Sequence, residues 1–162
     1  MSDDHIQQTG DELIQQAKDD AFCLLSFRER SQAELEERLV RKGYSNDVIA
    51  AVISRLKEMD YLNDRRFAEK WVRYRIKYKP RGKRLLRLEL RKKGIDERIA
   101  GQALNELVSD DVELDLGLRV ARKWLKSHPN QENIILKLKK HLQNKGFGFQ
   151  LIDRIIASMN KK

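Results

Sequence analysis

Three glycines, Gly43, Gly94 and Gly146, stand 51 and 52 residues apart, and the residues around them repeat in register. Leucine stands eight and four residues before each glycine, lysine directly before it and an apolar residue directly after it. These positions are Leu35, Leu39, Lys42 and Tyr44, then Leu86, Leu90, Lys93 and Ile95, then Leu138, Leu142, Lys145 and Phe147. Such self-similarity predicts tandem copies of one structural unit.

The residues that follow each glycine are apolar at steps of four. They are Val48, Val52 and Leu56 in the first copy, Ile99, Ala103 and Leu107 in the second, and Leu151, Ile155 and Met159 in the third. Steps of four place side chains on one face of a helix, and a glycine between two such runs is typical of a helix C-terminus. Each copy therefore predicts a helix, a glycine cap and a second helix.

A third helix is predicted before each pair, over residues 11–28, 64–78 and 112–126, and no segment alternates as a strand would. The sequence predicts an all-α fold of three tandem three-helix repeats forming an extended, curved array, because each repeat contacts mainly its neighbours. We assign the repeats to residues 11–60, 61–110 and 111–162, after an acidic N-terminal tail over residues 1–10. Ser31 with Glu34 predicts a capping box, and Ser45 and Asp96 are expected to cap the helices after their glycines.

Positive charge is concentrated in residues 70–94, KWVRYRIKYKPRGKRLLRLELRKKG. This segment holds twelve Lys or Arg and one acid, Glu89, whereas the formal charge of the whole chain is only +9. The rest of the chain is therefore slightly negative. Basicity that is local indicates a partner, and a polyanion such as nucleic acid is the natural candidate.

The predicted helix 64–78 separates an aromatic stripe from a basic one when it is laid out at 100° per residue. The aromatic stripe is Phe67, Trp71, Tyr74 and Tyr78, of which the first two are expected in the core. The candidate residues for binding a partner are Arg66, Lys70, Arg73, Lys77, Lys79, Arg81, Lys83, Arg84, Arg87 and Arg91. Lys and Arg without Asn or Gln suit phosphates better than bases. The alternative is a solvated face, but such faces normally mix both signs of charge.

Two residues do not fit this pattern. Arg75 falls within the apolar arc of its helix, and we expect it to extend to solvent or to pair with an acid of a neighbouring unit. Phe149 occupies a position where the repeat expects solvent. We expect its ring to pack against the preceding helix, with a partner contact as the alternative.

Motifs for catalysis are absent from the sequence, which has neither G-x-x-x-x-G-K-[ST] nor G-x-G-x-x-G. His5, His128 and His141 share no ligand spacing with Cys23, so no metal site is predicted. His141 is expected to face solvent and Cys23 the core. We expect a protein without enzymatic activity or cofactor. The single cysteine, and the lack of a signal peptide or of an apolar run of ~20 residues, favour the cytoplasm.

Three segments resemble, in order and spacing, the signatures of the bacterial RecX regulatory proteins: RSQAELEERLVRKG, YLNDRRFAEKWV and GKRLLRLELRKKGI. The resemblance is strongest over residues 20–110. It implies tandem three-helix repeats that bind the RecA recombinase and its filament on single-stranded DNA and damp ATP hydrolysis, strand exchange and coprotease function, within recombination, DNA repair and the SOS response. Leu85 stands where the family often has Arg, so binding is assigned to Arg84 and Arg87 beside it.

Other functions stay open at this point. The helix over residues 82–93 could enter a major groove as in a helix-turn-helix regulator, although its basic face lacks Asn and Gln. A nuclease is disfavoured because no carboxylates cluster among the basic residues. No dimerisation segment is evident, so we expect a monomer that binds DNA weakly, through phosphates and without sequence preference, and does not bind membranes.

Overall fold

The computed structural model describes residues 9–161, and every regular element within that range is an α-helix. The helices are α1 (Gly10–Phe27), α2 (Gln32–Arg41), α3 (Asn46–Glu58), α4 (Asp64–Tyr78), α5 (Lys83–Lys92), α6 (Glu97–Leu107), α7 (Asp110–Ser127), α8 (Ile134–Asn144) and α9 (Phe149–Met159). The all-α prediction is confirmed, and α1, α4 and α7 are the three helices expected before the glycine-centred pairs. Of the predicted acidic tail, residues 1–8 lie outside the described residues, and α1 already begins at Gly10.

All three aligned glycines end their helices with left-handed backbone, where glycine alone is unstrained. Their φ angles are 94° at Gly43, 75° at Gly94 and 93° at Gly146. The residue after each glycine donates its amide to a leucine carbonyl: Tyr44 to Leu39 at 3.3 Å, Ile95 to Leu90 at 3.1 Å and Phe147 to Leu142 at 3.2 Å. These are the bonds of the Schellman motif. The leucines themselves are fully buried, so the sequence repeat is a repeat of conformation and packing.

The predicted N-terminal caps are also confirmed. Ser31 and Glu34 form the reciprocal capping box at the start of α2, each side chain accepting from the other's backbone N–H. Ser45 accepts from Val48 at the start of α3, and Asp96 caps α6. Caps of this kind satisfy amides that have no partner inside the helix.

A carboxylate from a later helix also caps a middle helix in two repeats. The amide of Gln32, at the start of α2, donates to Asp64 Oδ1 of α4 at 2.8 Å. The amide of Lys83, at the start of α5, donates to Glu113 Oε1 of α7 at 2.7 Å. Helix N-termini favour negative charge, so a carboxylate stabilises the start of α2 and the start of α5 in the same way. Burial nevertheless raises the pKa of Asp64, against the lowering effect of its bond from Gln32.

The chain divides into two compact units, the described residues up to Phe67 and those from Ala68 onward. In the first unit α1, α2 and α3 pack on one another. The prediction that Cys23 belongs to this core is wrong, because the thiol is exposed. Ala17 and Ala21 are the fully buried residues of α1, and Cys23 lies about 200° round the helix from Ala21. Its apolar sequence neighbours did not reveal that orientation.

In the second unit α5 packs on α6, and α7 packs on α8 and α9. The loop before α5 approaches the end of α8 backbone to backbone, with the amide of Gly82 donating to the carbonyl of Lys145 at 2.9 Å. A Cβ on Gly82 would lie 2.3 Å from the carbonyl oxygen of Gly146, and one on Gly146 would lie 2.4 Å from Leu85 Cβ. Only glycine fits at these two positions. The boundaries of the three predicted repeats stay a prediction.

Candidate functional site

Seven of the ten candidate binding residues are exposed, and we call them the basic surface. They lie on α4, on the loop after it and on α5: Lys70, Arg73, Lys77, Lys79, Arg84, Arg87 and Arg91. The other three candidates, Arg66, Arg81 and Lys83, are half-buried. The ten residues therefore differ in burial and, as described below, in their partners within the protein. These differences decide which side chains are available to a ligand.

Arg66 is held by acids of its own unit. Its Nε lies 3.0 Å from Glu29 Oε1, its Nη1 lies 2.9 Å from Asp60 Oδ2, and its Nη2 donates to the carbonyl of Asp60. A hydrogen bond from Asn63 and the positive charge of Arg66 lower the pKa of the Asp60 carboxyl. The basic stripe was expected to be free of acids, but Arg66 is paired with two of them, Asp60 just before its helix and Glu29, which lies 37 residues away along the chain.

Glu89, the single acid of residues 70–94, binds three side chains of that same segment. Its Oε2 accepts from Trp71 Nε1 at 2.9 Å and from Arg75 Nε at 2.8 Å. Its Oε1 lies 2.7 Å from Arg81 Nε, an ion pair whose geometry is not that of an aligned hydrogen bond. The two arginines and Glu89 are each less than a quarter exposed. Sequence reasoning did not assign this role to Glu89, although its isolation among twelve basic residues was a signal.

Trp71 departs from the prediction that it is a core residue. Phe67 is buried as expected, whereas Trp71 is half-buried, with the guanidinium of Arg75 4.9 Å and the ammonium of Lys93 5.2 Å from its ring centre. These are cation–π distances. Arg75 was predicted to extend to solvent or to pair with an acid of a neighbouring repeat. It pairs instead with Glu89 on the next helix, within the same assigned repeat. Trp71 is therefore fixed by charge as well as by packing.

Three basic residues of α5 contact other helices of the second unit. Lys83 Nζ lies 3.4 Å from Asp110 Oδ1 of α7, and Arg84 Nη2 donates to the carbonyl of Gln143 in α8 at 2.8 Å. Arg87 Nε lies 3.1 Å from Glu97 Oε1 of α6, both side chains being at least half exposed. Exposed pairs of this kind add little stability and can exchange for a phosphate.

Four cations of the basic surface have no acidic partner in the part of the chain that the structure describes. They are Arg73, Lys77, Lys79 and Arg91, all exposed. Lys77 Nζ lies 5.0 Å from the ring centre of Tyr78, which is 59% exposed and lies beside Tyr74, itself 48% exposed. Exposed cations interleaved with exposed aromatic rings suit a nucleic-acid backbone and its bases.

Two further predictions need correction. Phe149 is 71% exposed and does not pack away against the preceding helix as expected. His141 does not simply face solvent, because its ring is half-buried and stacks 5.7 Å from Trp124. Within residues 9–161 no three His, Cys, Asp or Glu side chains are placed to hold a metal ion. None of the helices in that range combines the length and the hydropathy of a membrane span.

Two protein-family models match the chain, one described as RecX, first three-helix domain, over residues 17–56, and one as RecX, second three-helix domain, over residues 63–104. A protein called Regulatory protein RecX from Prosthecochloris aestuarii is 37% identical over 139 residues, which cover 86% of this chain and 90% of that protein. The chain belongs to the RecX family. The resemblance inferred from the three sequence segments is thereby confirmed.

Further comparisons agree with this RecX assignment. The crystal structure of RecX from Lactobacillus salivarius has a TM-score of 0.84 and 31% identity, covering 92% of this chain and 97% of that one. The Regulatory protein RecX of Mycolicibacterium smegmatis is 46% identical over 93 residues, which span half of that protein's length. The family is one of regulatory proteins, and its fold is the all-helical array described above.

Proposed function

We propose that this RecX family member is a non-enzymatic regulator that binds RecA and its nucleoprotein filament on single-stranded DNA. In this role it inhibits or modulates RecA's recombinase, ATPase and coprotease activities. Membership of a regulatory family supports the proposal, as does the lack of a nucleotide-hydrolysis motif in the sequence. We propose that it acts in the cytoplasm, as a monomer built of three repeats and without a cofactor.

The observation that carries the proposal is the basic surface, and above all its four cations without acidic partners. A filament of RecA on DNA presents phosphates and protein together, and cations on adjacent helices can reach both. Binding to free DNA is then weak and independent of sequence, because phosphate contacts carry no base information. We leave Arg66 and Arg81 out of the proposed contact, because their guanidinium groups already pair with Glu29, Asp60 and Glu89.

The test is RecA-catalysed ATP hydrolysis on single-stranded DNA, measured as this protein is added. Changing Arg73 and Arg91 together to Gln is expected to raise the concentration needed for half inhibition severalfold, because two charge contacts are lost and association slows. The control changes Lys57 and Arg98 to Gln, two exposed cations outside the basic surface. Equal potency of the first variant and the wild type would show that the basic surface is a solvated face.

The same assay separates two ways of acting on a filament. Full inhibition at far less than one molecule of this protein per RecA indicates capping of growing filament ends. Inhibition that rises in proportion to the ratio of this protein to RecA indicates coating of the filament. Binding to a specific DNA sequence by ~10³-fold over scrambled DNA would instead favour a helix-turn-helix regulator, since operator-binding proteins discriminate to that degree.

A further inference from the structure

A pocket of about 330 Å³ lies in the second unit, among the end of α4, the loop after it, α7 and α8. Five Lys or Arg side chains and no acid line it. The residues on which the inference depends are Tyr78, Lys79, Lys123, Trp124, His141 and Lys145. Only Lys79 belongs also to the basic surface, so the pocket is a separate feature. Its volume suits a small ligand and is too small for a folded partner.

The two arginines of the lining are fixed by contacts within the protein. Arg119 donates from Nη1 to the carbonyl of Ile76 at 2.7 Å and from Nη2 to that of Lys77 at 3.2 Å, at the C-terminal end of α4. Arg81 is paired with Glu89. Arg119 keeps its full positive charge beside the pocket, because carbonyl oxygens do not neutralise it. It therefore contributes a fixed positive potential to the pocket.

The three lysines of the lining are not neutralised. Lys79, Lys123 and Lys145 have no acidic partner among residues 9–161, and they come from three different elements: a loop, α7 and the C-cap of α8. Three lysines around one pocket with no acid among its lining residues give it a positive potential. An anion with several oxygens is favoured by that potential and can accept hydrogen bonds from more than one ammonium group.

Aromatic rings form the other part of the lining. The ring of Trp124 stacks on His128, with centroids 4.4 Å apart and an angle of 14° between planes, and lies 5.7 Å from His141. These contacts hold the half-buried indole in one orientation. Tyr78 also lines the pocket and is 59% exposed. Aromatic rings held beside cations are the means by which proteins stack nucleobases while binding their phosphates.

We propose that this pocket binds one nucleotide unit, its phosphate on Lys79, Lys123 and Lys145 and its base against Tyr78 and Trp124. The phosphate can belong to a free nucleoside triphosphate or to single-stranded DNA, since both present the same groups. Binding does not depend on RecA. It is therefore measured on this protein alone, so failure of this inference and failure of the proposed regulatory function are distinguishable.

The test uses Trp124 fluorescence in a Trp71→Phe background, because the chain has only two tryptophans. Thymidine triphosphate, pyrophosphate, thymidine and an oligothymidylate are each titrated at physiological salt. We expect saturable quenching by the triphosphate, by the oligonucleotide or by both, which identifies the source. Thymidine and pyrophosphate should bind at least ~10-fold more weakly, since each lacks one of the two contacts. Thymidine binding as tightly as the triphosphate, or no saturable change with any probe, overturns the inference.

A matched pair of variants tests the location. Lys123→Gln should weaken binding of the responding probe by ~10-fold, because a charge-assisted hydrogen bond is lost. Lys126→Gln, with the same charge change on an exposed residue of the same helix outside the pocket, should leave binding unchanged. Equal weakening by both variants would indicate non-specific attraction and overturn the site. If the Trp71→Phe protein does not fold, isothermal titration calorimetry of the wild type with the same probes measures the same affinities and tests the inference by the same criteria.

Discussion

Trp71 Nε1 and Glu89 Oε2 are joined by a hydrogen bond of 2.9 Å, on the same carboxylate that holds Arg75 and Arg81. The most basic segment of the chain thus carries its own counter-charge on the inner side of α5. This arrangement ties α4, the loop after it and α5 together at one acid. Because Glu89 is occupied by Arg75 and Arg81, it does not compete with phosphate for the exposed cations of α4, the loop and α5.

Glu89→Gln should destabilise the protein by about 1–3 kcal/mol, because two half-buried guanidinium groups lose their ion pair. The measurement is urea unfolding followed by circular dichroism. Glu97→Gln is the control, since Glu97 pairs with Arg87 at the exposed surface, and it should change stability by no more than about 0.5 kcal/mol. Equal effects of the two substitutions would contradict the central role of Glu89.

Gly146→Ala should cost more stability than Gly43→Ala, although the two residues are equivalent in the repeat. Both have a φ near 94°, so alanine is strained at either position by about 1–2 kcal/mol. A Cβ at Gly43 meets open space, whereas one at Gly146 would lie 2.4 Å from Leu85 Cβ, adding about 1–3 kcal/mol of overpacking. Thermal unfolding of the two variants compares them directly. A smaller loss at Gly146 would mean that α5 and α8 do not approach as closely as described.

Leu39→Ala, Leu90→Ala and Leu142→Ala should each lower the free energy of unfolding by about 2–5 kcal/mol, because each removes a fully buried leucine at the same site of its repeat. Denaturant unfolding with a common probe checks the series. Leu136→Ala is the control, since that leucine is 70% exposed. A surface-like effect at one of the three positions would remove that copy from the repeat.

Arg73→Gln with Arg91→Gln should reduce the salt dependence of binding to single-stranded DNA. The slope of log affinity against log salt should become shallower by about 0.7 for each lost phosphate contact. Arg66→Gln should leave that slope unchanged and lower stability instead, because Arg66 is bound to Glu29 and Asp60. Fluorescence anisotropy of a labelled oligonucleotide at several salt concentrations gives the slopes. A change of slope at Arg66 alone would reverse the assignment of these residues.

The pKa of His141 is lowered, first by burial and then by the positive charges of Lys145 and His128. The folded state therefore favours neutral His141. Its contribution to stability is fully present above the ordinary histidine value of 6.5 and is lost as the pH falls below that value through the lowered pKa. Lys145→Gln should raise the pKa of His141 towards 6.5. NMR titration of the imidazole protons measures this, and an unchanged or lower value would contradict it.

The helical repeat could be predicted from sequence because its signals are local. A glycine four residues after a leucine ends a helix through bonds within one turn, and capping by Ser31 or Asp96 needs only the next few residues. The environment of Trp71 could not be predicted in this way. Helical periodicity places its ring on the inner face of α4 but does not predict that Glu89 of α5 accepts a hydrogen bond from it.

The predictions of burial for Phe149 and Cys23, which are exposed, were wrong for the same reason. An inward position was expected for Cys23 from its apolar neighbours and for Phe149 from its aromatic ring, against the repeat register, but burial depends on which helices lie opposite. Arg66 and Arg73 differ in their availability for a ligand for the same cause, since Asp60 and the more distant Glu29 contact the first and no acid of the described residues pairs with the second. A stripe of cations on one helix therefore identifies a surface, and tertiary contacts decide which of its members can bind.

The bond between the amide of Gly82 and the carbonyl of Lys145 has a consequence for how the protein is made. The contacts among α1, α2 and α3 join segments that leave the ribosome close together in time, so that unit can fold while synthesis continues. The amide of Gly82 lacks this backbone partner until more than a full repeat has been translated after it. During that interval Lys83 and Arg84 of the nascent α5 also lack their partners on α7 and α8, so these two cations are then open to cellular polyanions.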